Sequence, residues 1–373
     1  MKTPFGKQPS GLRLERMQST RRYRDGEFHN LQPVLPGLKG GPMPSIGDFI
    51  CSGGRRVPTA PLPTLDPRPN WARAPETGLR VTWLGHSTLL VELDGVRVLT
   101  DPVWGERVSP VGFAGPKRFH PVPVKLAQLP AIDAVIVSHD HYDHLDYPTI
   151  LELAKSDVPF ITSLGVGAHL ESWGIAEARI TELDWWETAH IAGGRASVTA
   201  APSQHFSGRA PGLRNTTAWS SFALRGERHG FFFSGDTGLT LEYTSIRERL
   251  GPFDLVALEV GAFHPAWGDI HLGPENALKA FELLGGARFL PVHWGTFNLA
   301  MHDWDAPAET LLELGKGVPL LMPQLGEVVE PSRVGAPVPW WRTPGKVADG
   351  APNPAEAEPS ELQADAPLAF PLD

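Results

Sequence analysis

The residues with the clearest chemistry lie in one short block. Ser138-His-Asp-His-Tyr-Asp-His contains the pattern His-x-His-x-Asp-His, which sets His139, His141, Asp143 and His144 within six residues. Imidazole nitrogen and carboxylate oxygen are suitable ligands for zinc, and also serve iron or manganese. The block directly follows Ala134 to Val137, a wholly apolar run of the kind that forms a strand buried on both faces. A strand end that breaks into a loop can project His139 and His141 to one side and turn Asp143 and His144 toward a second position. A solvated loop gives no packing reason for so many ligand-capable side chains.

One such block cannot close two metal positions, so further ligands are expected downstream, each at a strand end. His205 follows the strand-like residues 196–200, and His293 ends the apolar run Phe289-Leu-Pro-Val. Asp236 sits in Phe231-Phe-Phe-Ser-Gly-Asp-Thr-Gly, where Gly235 and Gly238 permit close backbone approach. Together these residues complete a two-metal inventory. Two metals about 3.5–4 Å apart can clamp both oxygens of an in-line displacement at phosphorus and make a hydroxide available near neutral pH. Ser87 and Ser207 lack a Gly-x-Ser-x-Gly context, which argues against a serine hydrolase.

The elements that must position these side chains alternate between strand and helix. Residues 89–93 and 96–99 flank Asp94-Gly95, a pair that accepts the positive φ of a type I′ hairpin turn. Short apolar strands are expected at 230–234, 255–260 and 288–292. Helices are expected at 147–154 and 276–284, the second with Pro274 and Glu275 suited to its first turn. Strands outnumber helices early and helices separate strands later, so the fold class is α/β and layered.

Composition sets the outer bounds. The chain has 373 residues, and 33 Lys plus Arg against 42 Asp plus Glu give a net charge of −9. That balance is poor for binding nucleic acid through its phosphates, so no nucleic-acid partner is expected. The single cysteine, Cys51, excludes an intrachain disulfide and a zinc finger built on Cys pairs. No run approaches the ~20 apolar residues of a membrane span. The N-terminus has no apolar core behind its charges, so a cytoplasmic protein without a secretory signal is expected.

Three segments follow. Residues 1–77 form an arm, first basic (Lys2, Lys7, Arg13, Arg16, Arg21, Arg22 and Arg24 against Glu15, Asp25 and Glu27) and then Pro-rich, expected to pack on the domain. Its cations could touch anionic lipid or a partner subunit, and Phe28, Met43 and Phe49 could line an acyl groove. Residues 78–333 hold every candidate ligand. Residues 334–373 are Pro, Ala and Glu rich and are expected to be a tail that buries too little apolar surface to order itself. The oligomeric state, a homo-oligomer included, is left open.

The ligand pattern, from His139 through His205, Asp236 and His293, resembles the metallo-β-lactamase superfamily over residues 78–330. Trp83-Leu-Gly-His-Ser-Thr, Thr100-Asp-Pro-Val-Trp, Gly115-Pro-Lys-Arg-Phe and the histidine block are similar to the N-acyl-phosphatidylethanolamine-hydrolysing phospholipase D family. So are Phe231-Phe-Phe-Ser-Gly-Asp-Thr-Gly, Gly251-Pro-Phe-Asp-Leu and His293-Trp-Gly-Thr-Phe-Asn-Leu-Ala. A more distant relative is the ascorbate-6-phosphate lactonase group.

The resemblance implies an αββα four-layer sandwich with two zinc ions at one edge of the sheets. His139, His141 and His205 would hold one ion, Asp143, His144 and His293 the other, and Asp236 would bridge them. The implied activity is a phospholipase D-type phosphodiesterase acting on a phospholipid-like diester through a metal-bridging hydroxide. The alternative is a lactonase or carboxylic-ester hydrolase with the same centre. Asp143 and His271 are the catalytic candidates, His271 as the acid that relieves the leaving alkoxide, with Asp269 a candidate to orient it. The family carries Gln before this histidine, where this chain has Ile270. Lys117 and Arg118 are candidates to approach a substrate phosphate. Asp101 is a candidate to support a metal-bound histidine. His86 is expected to be buried and hydrogen-bonded, and His29, His120, His169, His190, His229, His264 and His302 to be structural.

Overall fold

A computed structural model describes residues 3–34, 55–264 and 269–344. Met43, Phe49 and Cys51 lie outside these residues. A small ribbon, β1 (Tyr23–Arg24) with β2 (Glu27–Phe28), precedes the domain proper. The first large sheet then forms from β3 (Leu79–Gly85), β4 (Thr88–Leu93), β5 (Val96–Thr100), β6 (Ala134–Val137), β7 (Phe160–Ser163) and β8 (Ile180–Leu183). β15 (Val328–Val329) joins the same sheet against β3. The second sheet contains β9 (Thr188–Ile191), β10 (Ala196–Ala201), β11 (Ser221–Arg225), β12 (Gly230–Phe233), β13 (Leu255–Glu259) and β14 (Phe289–Val292), bonded in that spatial order.

Period-two alternation explains why the sheets stack between helices. On β6, Ala134 and Ile136 join the core between the sheets, while Val135 and Val137 face the helices Tyr147–Leu153 and Gly167–Ser172. On β4, Leu89, Val91 and Leu93 point one way and Leu90 the other. The helices Glu242–Leu250, Gly273–Leu284 and Ala306–Leu314 contribute Ile246, Ala277, Phe281 and Leu311 to the large core shared with the second sheet. The result is the four-layer αββα sandwich. The Asp94-Gly95 hairpin forms as its sequence requires, with φ of 50° and 81° at the two turn residues.

Strand direction gathers the candidate ligands. β10 and β12 both run antiparallel to β11, and β13 and β14 run parallel to β12. All four strands therefore end at one edge of the second sheet, where residues 202–207, 234–238, 260–264, 269–272 and 293 emerge. The loop after β6 brings residues 138–146 to the same edge, since Ser220 N–H donates to the Ser138 carbonyl at 3.3 Å.

The two ends of the chain behave differently from their composition. In the arm, a helix over Leu12–Gln18 buries Met17, and Phe28 is fully buried against Met17, Trp185 and Trp219. Phe28 therefore fills the core instead of lining an acyl groove. Arg13 pairs with Glu171 and Glu182, Arg16 with Glu187, and Arg22 with Asp184 while stacking 3.6 Å over Trp185. Those cations are spent on the domain's own carboxylates. At the other end, the boundary expected at 334 falls inside packed chain. Trp340 and Trp341 are buried, Trp340 against Trp83 and Trp294 and Trp341 edge-on to Trp294 and Trp340. The tail from 345 onward lies outside the described residues.

Candidate metal centre

Each candidate ligand is fixed from behind before it faces the centre. Asp101 is fully buried, and its Oδ1 accepts the Ser138 N–H at 2.7 Å while its Oδ2 accepts the Ser138 hydroxyl at 2.6 Å. The same Oδ2 lies 2.7 Å from His144 Nδ1, so Asp101 orients that imidazole as expected. The Ser138 hydroxyl lies 2.9 Å from His139 Nδ1, and the Ile270 carbonyl lies 2.9 Å from His205 Nδ1. In all three rings the outer nitrogen is occupied and Nε2 is turned inward, the arrangement that metal-bound histidines need. Close packing of the loops depends on the two glycines singled out above. A Cβ on Gly235 would fall 2.6 Å from the Ser138 Cβ, and one on Gly238 would fall 1.6 Å from the Asp269 carbonyl oxygen.

The inward atoms form interlocking groups. His139, His141, His205 and Asp236 make one, and His86, Asp143, His144 and His293 another, each with candidate ligand atoms within 4.8 Å of one another. Asp236 Oδ2 ties the groups together. It lies 3.1 Å from His144 Nε2, 3.2 Å from His293 Nε2, 3.7 Å from His205 Nε2 and 3.9 Å from His139 Nε2. Asp143 Oδ2 sits 3.0 Å from His86 Nε2, 3.3 Å from His293 Nε2 and 3.4 Å from His144 Nε2. His86 thus joins the site through Asp143, a contact foreshadowed only by its expected burial.

Hydrogen bonding among these residues does not account for the convergence. His144 Nε2, Asp236 Oδ1 and both ring nitrogens of His293 are buried without a hydrogen-bond partner among the described residues. Such groups are costly to bury unless something else satisfies them. His141 Nδ1 lies 3.3 Å from His205 Nε2, the ~3.3 Å edge of a tetrahedron with zinc–nitrogen arms of ~2.0–2.1 Å, and closer, at 2.8 Å, to His139 Nε2. The donor set and its spacing fit a pair of divalent ions.

Electrostatics point the same way. Burial, with the charge of neighbouring imidazoles, holds His139 well below its ordinary pKa, and burial does the same to His205. Both rings therefore offer neutral lone pairs. Burial opposes charge on His293, but Asp236 and Asp143 win and push it up to about 10. Facing imidazoles, His144 foremost, hold the Asp143 and Asp236 carboxyls well below the carboxylate range despite their burial. The two carboxylates thus stabilise positive charge beside them, at His144 and His293.

His271 reaches the rim. It is partly exposed, its Nδ1 lies 4.0 Å from Asp236 Oδ2, and its ring centroid lies 5.1 Å from that of His205. The carboxylate that orients it is Glu259, not Asp269. Glu259 Oε1 lies 3.3 Å from His271 Nδ1 and accepts the Leu272 N–H at 2.6 Å, whereas the Asp269 carbonyl accepts from the Gln204 amide. A glutamate inside an apolar strand was the sequence signal for this contact.

The two cations expected near substrate have other partners. Lys117 forms a surface ion pair with Glu106. Arg118 is buried, donates to the carbonyls of Val103 and Gly105, and lies 4.7 Å over the Phe297 ring, so it braces the loop, while its Nη1 has no hydrogen-bond partner among the described residues. An exposed arginine that the sequence did not mark stacks beside a ligand's neighbour. Arg214 stacks 4.4 Å over Phe206, whose ring lies 4.5 Å from that of His141.

A sandwich of this topology, with ligand-bearing loops gathered at one sheet edge, defines a class, and sequence comparison agrees. Residues 96–294 match the beta-lactamase superfamily domain, and the chain belongs to the metallo-β-lactamase superfamily of metal-dependent hydrolases. It is 46% identical over 328 residues to an uncharacterized protein of Mycobacterium tuberculosis, covering 86% of this chain and 87% of that one. It is 38% identical over 250 residues to the N-acyl-phosphatidylethanolamine-hydrolyzing phospholipase D 1 of Caenorhabditis elegans, covering 64% of this chain and 70% of that one. Among solved structures, an isothiocyanate hydrolase from Delia radicum gut bacteria superimposes with a TM-score of 0.55 at 23% identity, over 67% of this chain and 98% of that one. That last likeness speaks to the fold alone.

Proposed function

We propose that the protein is a phospholipase D-type phosphodiesterase that hydrolyses N-acyl-phosphatidylethanolamine-like lipids with two divalent ions, zinc before manganese or iron. The observation that carries the two-metal part is Asp236 Oδ2, a single buried oxygen within 4 Å of imidazoles from both ligand groups. The lipid part rests on similarity to the phospholipase D 1 of Caenorhabditis elegans. His139, His141 and His205 would hold one ion, Asp143, His144 and His293 the other, and Asp236 both. The ions would supply an activated water and charge neutralisation for the diester oxygens.

The chain's own groups do the rest. Asp101, Ser138 and the Ile270 carbonyl keep the imidazoles in the tautomer that turns Nε2 inward. Glu259 fixes the ring of His271 at the rim, where that imidazole is placed to pass a proton to the leaving oxygen. Lys7, Arg21 and Arg24, exposed in the basic stretch of the arm and outside its ion pairs with the domain, are available to an anionic lipid surface. No helix among the described residues is long and apolar enough to cross a membrane.

The test is hydrolysis of N-acyl-phosphatidylethanolamine by zinc-reconstituted protein, read as phosphatidic acid by mass spectrometry. The expected result is product that disappears in Asp236→Asn. Turnover of lactones or carboxylic esters with no phosphatidic acid would replace the phosphodiesterase reading with the ester-hydrolase one.

A further inference from the structure

Asn30, in the N-terminal arm, grips the main chain of one candidate ligand with both ends of its amide. Its Nδ2 donates to the His205 carbonyl at 2.8 Å, and its Oδ1 accepts the His205 N–H at 3.0 Å. The same Oδ1 accepts the Trp219 indole N–H at 3.0 Å. A planar carboxamide is the side chain that can satisfy the N–H and C=O of one residue together, as a neighbouring strand would. His205 lies beyond the end of β10, where no strand does so, and Asn30 takes that place. Two residues back, the Phe28 N–H donates to the Asn215 carbonyl. Asn215 closes the loop on His205 by exchanging hydrogen bonds with the Ser207 main chain.

The start of the arm reaches the loop that carries His139 and His141 and, with them, Asp143 and His144 of the second group. The Pro4 carbonyl accepts from the buried Arg209 guanidinium, which also donates to the carbonyls of Asp140 and Leu145 on either side of His141 and His144. The second group is held from within the domain, by Asp101 behind His144 and by the His86 carbonyl, which accepts the His293 N–H at 3.0 Å. The Pro4 contact is therefore shared by both groups, whereas Asn30 holds a ligand of the first group alone.

We infer that Asn30 is a positioning residue for the metal position of His139, His141 and His205, and that it sets the affinity of that position selectively. The inference rests on the two-metal reading above. Asn30→Ala would leave the buried His205 N–H and C=O without partners, while Trp219 keeps a second acceptor in the Ser203 carbonyl at 3.2 Å. The side chain behind the ligand is lost and the ligand itself is kept.

The experiment titrates zinc into metal-free full-length protein against a chromophoric chelator and counts bound metal by mass spectrometry. Asn30→Ala is expected to weaken one of the two affinities about 10–100-fold, leaving the other and the far-UV spectrum unchanged. Asn30→Asp keeps the acceptor and the shape but loses the donor to the His205 carbonyl, so it should weaken the same step and will decide the matter if the alanine variant does not fold. Arg16→Ala, which removes only an exposed ion pair of the arm, should leave both affinities alone. Wild-type affinities at both positions in the Asn30 variants, or equal weakening of both, would overturn the inference. Wild-type protein that binds two ions without cleaving lipid would remove the phospholipase reading and leave this one standing. Wild-type protein that binds only one ion would remove both.

Discussion

Asp101→Asn isolates the support behind the ligands from the ligands themselves. Asp101 accepts two hydrogen bonds from Ser138, at 2.7 and 2.6 Å, and lies 2.7 Å from His144 Nδ1, all in a fully buried setting. Asparagine keeps the shape and tolerates the left-handed backbone found here, with φ of 32°. Its NH₂ group must replace one oxygen. Placed at Oδ1 it opposes the Ser138 N–H, and placed at Oδ2 it opposes the hydroxyl and the imidazole. Either way the carboxylate that favours the inward Nε2 of His144 is lost. Removing such support costs about 10–100-fold in metal affinity, or about 1.4–2.7 kcal/mol. Competition with a chelator should show one zinc affinity falling by that factor in a folded protein, with turnover recovering in excess zinc. Unchanged affinity at both positions would refute the view that Asp101 sets the geometry of His144.

Three further outcomes are expected. His271→Asn should lower kcat by about 10²–10⁴-fold while bound metal stays at the wild-type count, since His271 is assigned the proton and not the ion; loss of a metal would make it a ligand instead. Arg209→Met strips the buried carbonyls of Asp140 and Leu145, and the half-buried one of Pro4, of their donors and should cost about 3–5 kcal/mol in denaturant unfolding. Trp341→Ala should cost about 3–5 kcal/mol in the same measurement, because the ring is fully buried and its N–H donates to Glu309 at 2.7 Å; a loss under about 1 kcal/mol would mean that the segment after 334 is dispensable.

Local signals were readable in the sequence. The Asp94-Gly95 turn, the apolar run at Ala134–Val137 and the helix ending at Leu284 each depend on neighbours a few residues away, and each forms where its pattern lies. The candidate ligands were readable because each follows an apolar run. What composition could not show is contact between distant segments. Asn30 and His205 are 175 positions apart, and nothing near Asn30 marks it as anything but a loop residue. Phe28 lies among charges and has no periodic partner, so its place in a core was invisible. Trp340 and Trp341 sit in a Pro-rich stretch that reads as a tail, yet Trp83 and Trp294 offer them a surface to pack on. Arg118 carried a family block and a charge, and only its burial reveals a brace.

The proposed phosphodiesterase reaction adds water to phosphorus at this centre. It is tested most directly by turnover of N-acyl-phosphatidylethanolamine in ¹⁸O-labelled water with zinc-loaded protein. One labelled oxygen is expected in the phosphate of the phosphatidic acid product and none in any released fatty acid. Label in a carboxylate, or no phosphatidic acid from fully metallated protein, would contradict it.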